Sequence, residues 1–193
     1  GEGPGADRIA FTDLDAGTLT TMPVRGAQLG PVLAAAMHVT RMEALVLDAV
    51  EESTPRASGG APPDRGGPPR PRRFVRFLQI DLRSGEAREL ARFARGGVFD
   101  RHDLVGMADG RYALVASSER TGRTLLFALD PRGDELLVSG VSLLRGSVLG
   151  PPVASRRGIS FPFRGRGERT WAPVGGRPED LRASGFEQLR AVL

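Results

Sequence analysis

The chain of 193 residues contains no cysteine, no lysine and no asparagine. The absence of cysteine excludes disulfides and thiolate metal ligands, and it leaves the redox compartment open. Two histidines without cysteine also argue against a zinc site. Because arginine is the sole basic side chain besides histidine, in a chain rich in Ala, Gly and Pro, the bias indicates a GC-rich coding sequence. The bias therefore does not show that arginine was selected over lysine for its bidentate geometry.

Signatures of catalysis are also missing. The chain has no Gly-x-Ser-x-Gly motif, no phosphate-binding loop and no dinucleotide fingerprint. His102 and Asp103 are neighbours in sequence, which is a poor geometry for an aspartate that orients a catalytic histidine, and we expect His38 and His102 to be loop or surface residues. These absences favour a non-enzymatic protein that holds no metal and no cofactor.

Bulk properties limit the classes of partner. No apolar run approaches the ~20 residues of a membrane helix, so we expect no membrane span. A net charge of +4 and an isoelectric point near 10.9 are poor support for nucleic acid as the partner. The 6% of aromatic residues also speaks against a stacking platform for single strands. Because the chain begins at Gly1 and lacks a signal-peptide pattern, we expect a mature form, a trimmed chain or a piece of a longer protein.

Short β-forming stretches separated by Gly, Asp and Pro turns occupy most of the chain. They cover residues 8–14, 18–24, 32–37, 44–50, 74–82, 87–93, 104–107, 112–117, 124–129, 135–139, 153–155, 159–163, 169–174 and 186–192. Residues 51–73 differ, because Pro, Gly, Ser and Arg dominate and no apolar residue recurs, which predicts a disordered insertion. We expect residues 1–193 to form a single β domain that carries this insertion.

A repeat of about fifty residues organises these strands. Predicted turns between a third and a fourth strand contain Asp15, Asp81, Asp130 and Asp180, which are 66, 49 and 50 residues apart. The longest interval contains the insertion, and without roughly seventeen of its residues the period is constant. The stretch DLRSGEAREL at 81–90 is similar to DLRASGFEQL at 180–189.

An Arg-Gly pair recurs between the repeats. The three copies are Arg25-Gly26, Arg95-Gly96 and Arg145-Gly146, and GAQLGPVL at 26–33 is similar to GSVLGPPV at 146–153. The glycines are most simply turn residues that need positive φ, and the aspartates at the turns are Asx-type turn formers.

Four short strands per ~50 residues, joined by hairpin turns, form the pattern of a β-propeller blade. Over nearly its whole length the chain resembles the β-propeller superfamily, nearer its quinoprotein-like and TolB-like members with degenerate blades than its motif-rich ones. The resemblance implies an all-β partial propeller with two strands of one blade and then three four-stranded blades. The alternative is a β-sandwich or another β-meander.

Propellers have ~4–8 blades because a ring must close to protect its edges. The resemblance therefore implies that this chain is the C-terminal part of a longer protein, that two copies complete each other as a homodimer, or that a partner caps an incomplete ring.

In a propeller, the loops that join blades and the loops between second and third strands lie on one face. The resemblance places eight candidate binding residues there: Arg25, Arg95, Arg145, Arg101, Arg120, Arg123, Arg164 and Arg166. Such a face would attract carboxylates, phosphates or an acidic protein surface. The structural alternative is that the arginines of the Arg-Gly pairs contact an acid or a carbonyl of a neighbouring blade.

These observations lead to a first hypothesis, a non-enzymatic binding or scaffold domain of a bacterial envelope or secreted protein, with an acidic partner or an anionic ligand. A second hypothesis is the C-terminal portion of a propeller enzyme whose active site lies in missing blades. A third is an arginine-rich nucleic-acid binder, for which a steep salt dependence of binding would be required.

Overall fold

The computed structural model describes residues 7–13, 16–38, 40–52, 71–95, 99–155, 158–165, 189 and 193. Within these residues the fold is all-β, as expected from the sequence, and its ladders are antiparallel. The strands are β1 (Arg8–Asp13), β2 (Thr18–Pro23), β3 (Val32–His38), β4 (Glu43–Glu52), β5 (Arg72–Asp81), β6 (Ala87–Ala94), β7 (Arg101–Gly106), β8 (Tyr112–Ser118), β9 (Arg123–Arg132), β10 (Glu135–Arg145), β11 (Ser147–Val148), β12 (Val153–Ser155), β13 (Gly158–Ser160) and β14 (Phe163–Arg164).

Two four-stranded meanders form the centre of the fold. The first, here called sheet I, has the strand order β3-β4-β5-β6, and the second, sheet II, has the order β7-β8-β9-β10. Each strand pairs with its neighbour along the chain, as expected for strands joined by hairpin turns. The two four-stranded units predicted over residues 32–93 and 104–139 are thereby confirmed.

The remaining described strands form three two-stranded ladders: β1 with β2, β11 with β14, and β12 with β13. The strand predicted at 159–163 is divided in two, because β13 ends at Ser160 and β14 begins at Phe163. Pro162 lies in the gap, where its missing N–H interrupts no ladder. The strand predicted at 169–174 lies outside the described residues. Of the strand predicted at 186–192, Leu189 alone is described, and it is helical.

The predicted insertion is shorter than residues 51–73. Glu51 and Glu52 continue β4, and they pair with Arg73 and Arg72 at the start of β5. The Glu51 carboxylate lies 2.8 Å from Nε of Arg73. Opposite charges at facing positions stabilise a sheet, so these four residues extend the ladder beyond the apolar segment. Residues 53–70 lie outside the described part of the chain.

The turn predicted at 130–133 is displaced. Strand β9 continues to Arg132, and the hairpin turn is at Gly133 and Asp134. Leu129 is the last residue of β9 that pairs with β8. Pro131 therefore lies on a part of β9 that has one neighbouring strand, where a missing N–H is tolerated.

Sheets I and II share one hydrophobic core. Alternate side chains of each strand point to the same face, and Leu47 and Phe77 of sheet I pack in one cluster with Leu114 and Phe127 of sheet II. All four are at most 1% exposed. The opposite face of sheet I is covered by β1, β2 and the segment after them, through a second cluster that includes Val46, Leu78 and Ile80. Face-to-face stacking of meanders is common to a partial propeller and a sandwich.

The first strands of the two sheets, β3 and β7, lie beside each other, and their C-terminal ends meet. His38 at the end of β3 donates from Nε2 to the Met107 carbonyl, just after β7, at 3.0 Å. Its Nδ1 accepts from the Thr40 hydroxyl at 3.0 Å. His38 is buried, so the expectation of a loop or surface residue is wrong. His102, for which we expected the same, lies in β7 and is partly buried.

A buried ion pair holds the segment between β2 and β3 on sheet I. Asp48 in β4 faces Arg76 in β5, and two hydrogen bonds of 2.9 Å join the guanidinium and the carboxylate. The Gly30 N–H donates to the same carboxylate at 2.8 Å, and Arg76 donates to the Gln28 carbonyl. The hydrogen bond to Asp48 raises the pKa of Arg76. The pair therefore connects two strands and the segment that crosses them.

We expect Asp48→Ala to lower the free energy of unfolding by about 3–5 kcal/mol, because it leaves the buried Arg76 guanidinium without its main partner. Urea denaturation measures the change. The matched control is Glu51→Ala, which removes an exposed ion pair and should cost roughly 0–1 kcal/mol. The double variant Asp48→Leu/Arg76→Met should recover much of the loss, and equal losses in Asp48→Ala and Glu51→Ala would contradict this role of the pair.

Tyr112 offers a second test of the packing, because it is the only tyrosine. Its ring is fully buried and its hydroxyl donates to the Glu43 carbonyl at 3.3 Å. Burial, followed by the nearby Glu43 carboxylate, raises the pKa of Tyr112.

We expect ultraviolet titration of the folded protein to show no phenolate near pH 10, the ordinary tyrosine pKa. Because the unfolded chain releases this proton first, the contribution to stability is complete below that pH and falls as the pH rises toward the folded-state pKa. Reversible phenolate formation near pH 10 with the circular dichroism unchanged would show that solvent reaches the Tyr112 hydroxyl in the folded protein.

Candidate functional site: an arginine-lined sheet end

One end of sheet II gathers arginines from separate elements. Strand β7 begins at Arg101, β9 begins at Arg123 and β10 ends at Arg145, while Arg120 lies in the turn between β8 and β9. Arg164 in β14 completes the group, because Gly165 beside it lies against the backbone of Arg145 and Gly146. These five arginines are called the basic end below.

Arg123 and Arg145 face each other directly across β9 and β10, and both are exposed. Facing side chains of an antiparallel pair have Cβ atoms about 4.5–5.5 Å apart. No carboxylate of the described residues lies within 4.0 Å of either guanidinium. Two like charges therefore face each other across this ladder without a neutralising acid among those residues.

Sheet I contains the matching case. Arg76 faces Arg92 across β5 and β6. Here acids surround the pair: Arg76 binds Asp48, and Arg92 binds Glu89 at 2.8 Å and also Glu52. The same cross-strand arrangement of two arginines is thus neutralised in sheet I but not in the described part of the basic end.

A chain of hydrogen bonds supports the basic end. The Val148 N–H donates to Ser117 Oγ at 3.3 Å, Ser117 and Thr124 share a bond of 3.0 Å, and the Thr124 hydroxyl donates to the Gly146 carbonyl at 2.9 Å. The Gly146 N–H donates to the Gly122 carbonyl at 2.7 Å. These bonds hold β11 and the β8–β9 turn against the end of β10.

The acids of this end do not balance its arginines. Asp103 binds Arg101 at 2.7 Å, and Arg101 also donates to the Val148 carbonyl at 3.3 Å. Asp100 and Glu119 are exposed acids near the same strand ends. Four arginines, namely Arg120, Arg123, Arg145 and Arg164, have no ion pair within the described residues.

At the opposite end of the sheets arginines are paired with aspartates. The pairs are Arg111–Asp109 at 2.5 Å, Arg132–Asp130 at 2.8 Å and Arg88–Asp134 at 2.8 Å. The hydrogen bond from Arg111 lowers the pKa of Asp109. This end is therefore close to neutral where it is described.

Of the aspartates predicted to form turns, Asp81 does so, whereas Asp130 lies within strand β9 and does not; Asp109, in the turn between β7 and β8, acts in the same way as Asp81. Asp81 accepts from the Arg83 N–H at 2.7 Å and the Ser84 N–H at 3.2 Å, and these bonds lower its pKa. Asp109 accepts from the Arg111 N–H at 3.1 Å. Asp15 and Asp180 lie outside the described residues.

Arg25 does not lie with the other predicted site residues. Its N–H donates to the Gly85 carbonyl and its carbonyl accepts from the Ala87 N–H, both at 2.8 Å. Gly85 belongs to the turn between β5 and β6, at the end of sheet I opposite to the insertion. The prediction that all three Arg-Gly pairs share one face is wrong for Arg25, because residues 26–31 cross the face of sheet I before β3 begins.

Arg95 lies at the end of sheet I beside the insertion, where its N–H donates to the Arg73 carbonyl at 2.8 Å. It borders an open cleft of about 590 Å³. Arg73, Arg76 and Arg92 also line this cleft, and each binds an acid. The run Glu51-Glu52 before the insertion and Arg72-Arg73 after it is the sequence signal that could have predicted this charged cleft.

The last predicted site residue, Arg166, lies outside the described residues. Within the described ranges no cluster of three or more His, Asp or Glu side chains has the spacing of a metal site. The same ranges contain no helix that is long and apolar enough to cross a membrane. Searches against protein-family models and against curated proteins returned no match for this chain.

The glycines of the Arg-Gly pairs have the predicted backbone geometry where they are described. Gly26 has φ of 78° and Gly146 has φ of 143°, whereas Gly96 is outside the described residues. At Gly146 a Cβ would also meet the Arg164 carbonyl and the Phe163 ring. Close approach, besides φ, therefore requires glycine where β10 meets β14.

We expect Gly146→Ala to destabilise the protein more than Gly158→Ala. Both residues have φ near 140°, but a Cβ at Gly158 would meet no atom of the described residues within 4 Å. Backbone strain costs on the order of 1–3 kcal/mol at either position, and Gly146→Ala adds the clash with β14. Thermal denaturation compares the two variants, and equal losses would show that close approach at Gly146 is unimportant.

Proposed function

We propose that this chain is a non-enzymatic, propeller-like binding or scaffold domain whose basic end holds an acidic protein surface or an anionic ligand. The observation that carries the proposal is the Arg123–Arg145 pair. Like charges directly opposite each other destabilise a sheet. An incoming carboxylate or phosphate would remove that repulsion, and the role that Asp48, Glu89 and Glu52 perform in sheet I would then belong to the partner.

The chemistry of the basic end suits an oxyanion. A guanidinium presents a planar fork of N–H donors that matches a carboxylate or a phosphate and remains charged at any physiological pH. Arg123, Arg145 and Arg164 are strand residues, so the hydrogen-bonded ladders hold their backbones in place. Binding then costs less conformational entropy than it would at a flexible loop.

The stacked four-stranded sheets and the fifty-residue repeat support the propeller-like frame. Either the remaining blades of a longer chain or a second copy would complete such a ring. In both cases the basic end would form part of one continuous face.

We expect the double variant Arg123→Glu/Arg145→Glu to weaken binding of fluorescent poly-L-glutamate and of inorganic polyphosphate by at least roughly tenfold, or 1.4 kcal/mol. Fluorescence anisotropy at low and at physiological ionic strength measures the affinity, which salt should reduce because the site is exposed. The matched control is Arg25→Glu/Arg83→Glu, which changes the net charge equally at the opposite end and should bind like the wild type.

Stability provides an independent readout. The single variant Arg123→Glu converts the facing Arg–Arg pair into a Glu–Arg pair, so its free energy of unfolding should rise by roughly 0.2–1 kcal/mol while binding falls. A loss of stability would indicate the structural alternative. Equal binding losses in both double variants, or no binding by the wild type, would refute the anion site. Tighter binding of a single-stranded oligonucleotide, with a steep salt slope, would instead indicate a nucleic-acid binder.

A further inference from the structure

The two central sheets have outer strands of different character. Within the described residues, β6 of sheet I and β10 of sheet II each pair on one side only. Strand β6 carries Arg88, Glu89 and Arg92 in its interior. Strand β10 has charged residues at its two ends alone, with the sequence LLVSGVSLL between them. Charged side chains are a common means by which proteins keep edge strands from pairing, and β10 lacks them.

The composition and length of β10 favour pairing with another strand. It has 11 residues, against a usual strand length of about 5–6. An uncharged, largely apolar strand without proline is a segment that adds readily to another strand. Leu143 is 39% exposed, and a β-bulge at Val138–Gly140 interrupts the pairing with β9.

We propose that the edge of β10 that is unpaired within the described residues pairs antiparallel with β10 of a second copy of this chain. The bulge and the charges at the two ends of β10 together set the register. Before the bulge, Leu136 and Val138 belong to the core cluster. After it, Val141 and Leu143 face the same side, because they pair with Phe127 of that cluster and with Leu125, which packs against it. A two-fold axis perpendicular to the sheet keeps equal faces together. It therefore places Leu136 opposite Leu143 of the second copy, and Val138 opposite Val141 of the second copy.

The charges at the ends of β10 indicate that the occupant is β10 itself. The strand follows Asp134 and begins at Glu135, and it ends at Arg145. In the antiparallel two-fold arrangement each acidic start lies beside the Arg145 of the other copy. Arg145 thus gains acidic neighbours that it lacks among the described residues of one chain. The anion site would then rely mainly on Arg120, Arg123 and Arg164.

The mass in solution tests the pairing. We expect light scattering across a concentration series to give twice the 20.6 kDa of one chain. Leu143→Lys places a charge in the pairing edge at an exposed position and should raise the dimer dissociation constant at least roughly tenfold. The matched control Leu19→Lys alters a residue that is 67% exposed on β2 and should leave the mass unchanged. Unchanged circular dichroism confirms that Leu143→Lys is folded.

The absence of native cysteine allows a direct test of the register. Leu137 should lie opposite Ser142 of the second copy, within the Cα separation that a disulfide allows. Within one strand the same two positions are ~17 Å apart. On oxidation the double variant Leu137→Cys/Ser142→Cys should form a covalent dimer, whereas each single variant should not.

A monomer at every concentration, or a dimer that Leu143→Lys leaves intact, would overturn the proposal. Failure of the double cysteine variant to form the covalent dimer would overturn the register. Arg123→Glu should weaken anion binding without changing the mass, so the failure of one proposal is distinguishable from the failure of the other.

Discussion

Contact between sheets I and II buries the apolar side chains of both. In sheet I these include Leu45, Leu47 and Phe77. Each large apolar side chain that is fully buried contributes about 1.5–3 kcal/mol, so face-to-face stacking is the main term that holds the two meanders together. Stacking also sets their direction. Because the C-terminal ends of β3 and β7 meet at His38, corresponding ends of the two sheets lie together there, and Arg95 and the basic end both lie at the other ends of their sheets.

Burial explains why some arginines of this fold are paired with acids and others are not. On the face of sheet I that the segment between β2 and β3 covers, burial requires a partner for the Arg76 charge, since an unpaired guanidinium costs several kcal/mol there, and Asp48 supplies it. At the exposed end of sheet II no such requirement exists, and water solvates Arg123 and Arg145. Burial thus requires an acidic partner for Arg76, whereas the exposed arginines of the basic end need none. Because of that difference we propose the basic end, rather than the cleft beside Arg95, as the surface that accepts an external anion.

The basic end and the edge of β10 meet at Arg145 but use different physics. Anion binding at an exposed arginine cluster depends on charge and weakens with salt. Strand pairing depends on backbone hydrogen bonds and apolar contact, which salt affects little. Arg145 is the residue where the two surfaces adjoin, because it ends β10 and faces Arg123. The Arg145 side chain would therefore contact both a partner bound at the basic end and a second copy bound along β10.

The sequence by itself determined what depends on neighbours in the chain: the strands of sheets I and II, the positive φ of Gly26 and Gly146, and the Asx turn at Asp81. Alternation and turn chemistry are local, so a pattern of a few residues is sufficient to predict them. Only the tertiary structure decided the burial of His38, the contact of Arg25 with Gly85 and the Asp48–Arg76 pair. These contacts join residues 28 to 69 positions apart, and which residues meet across such distances depends on how the sheets stack, which no local pattern encodes.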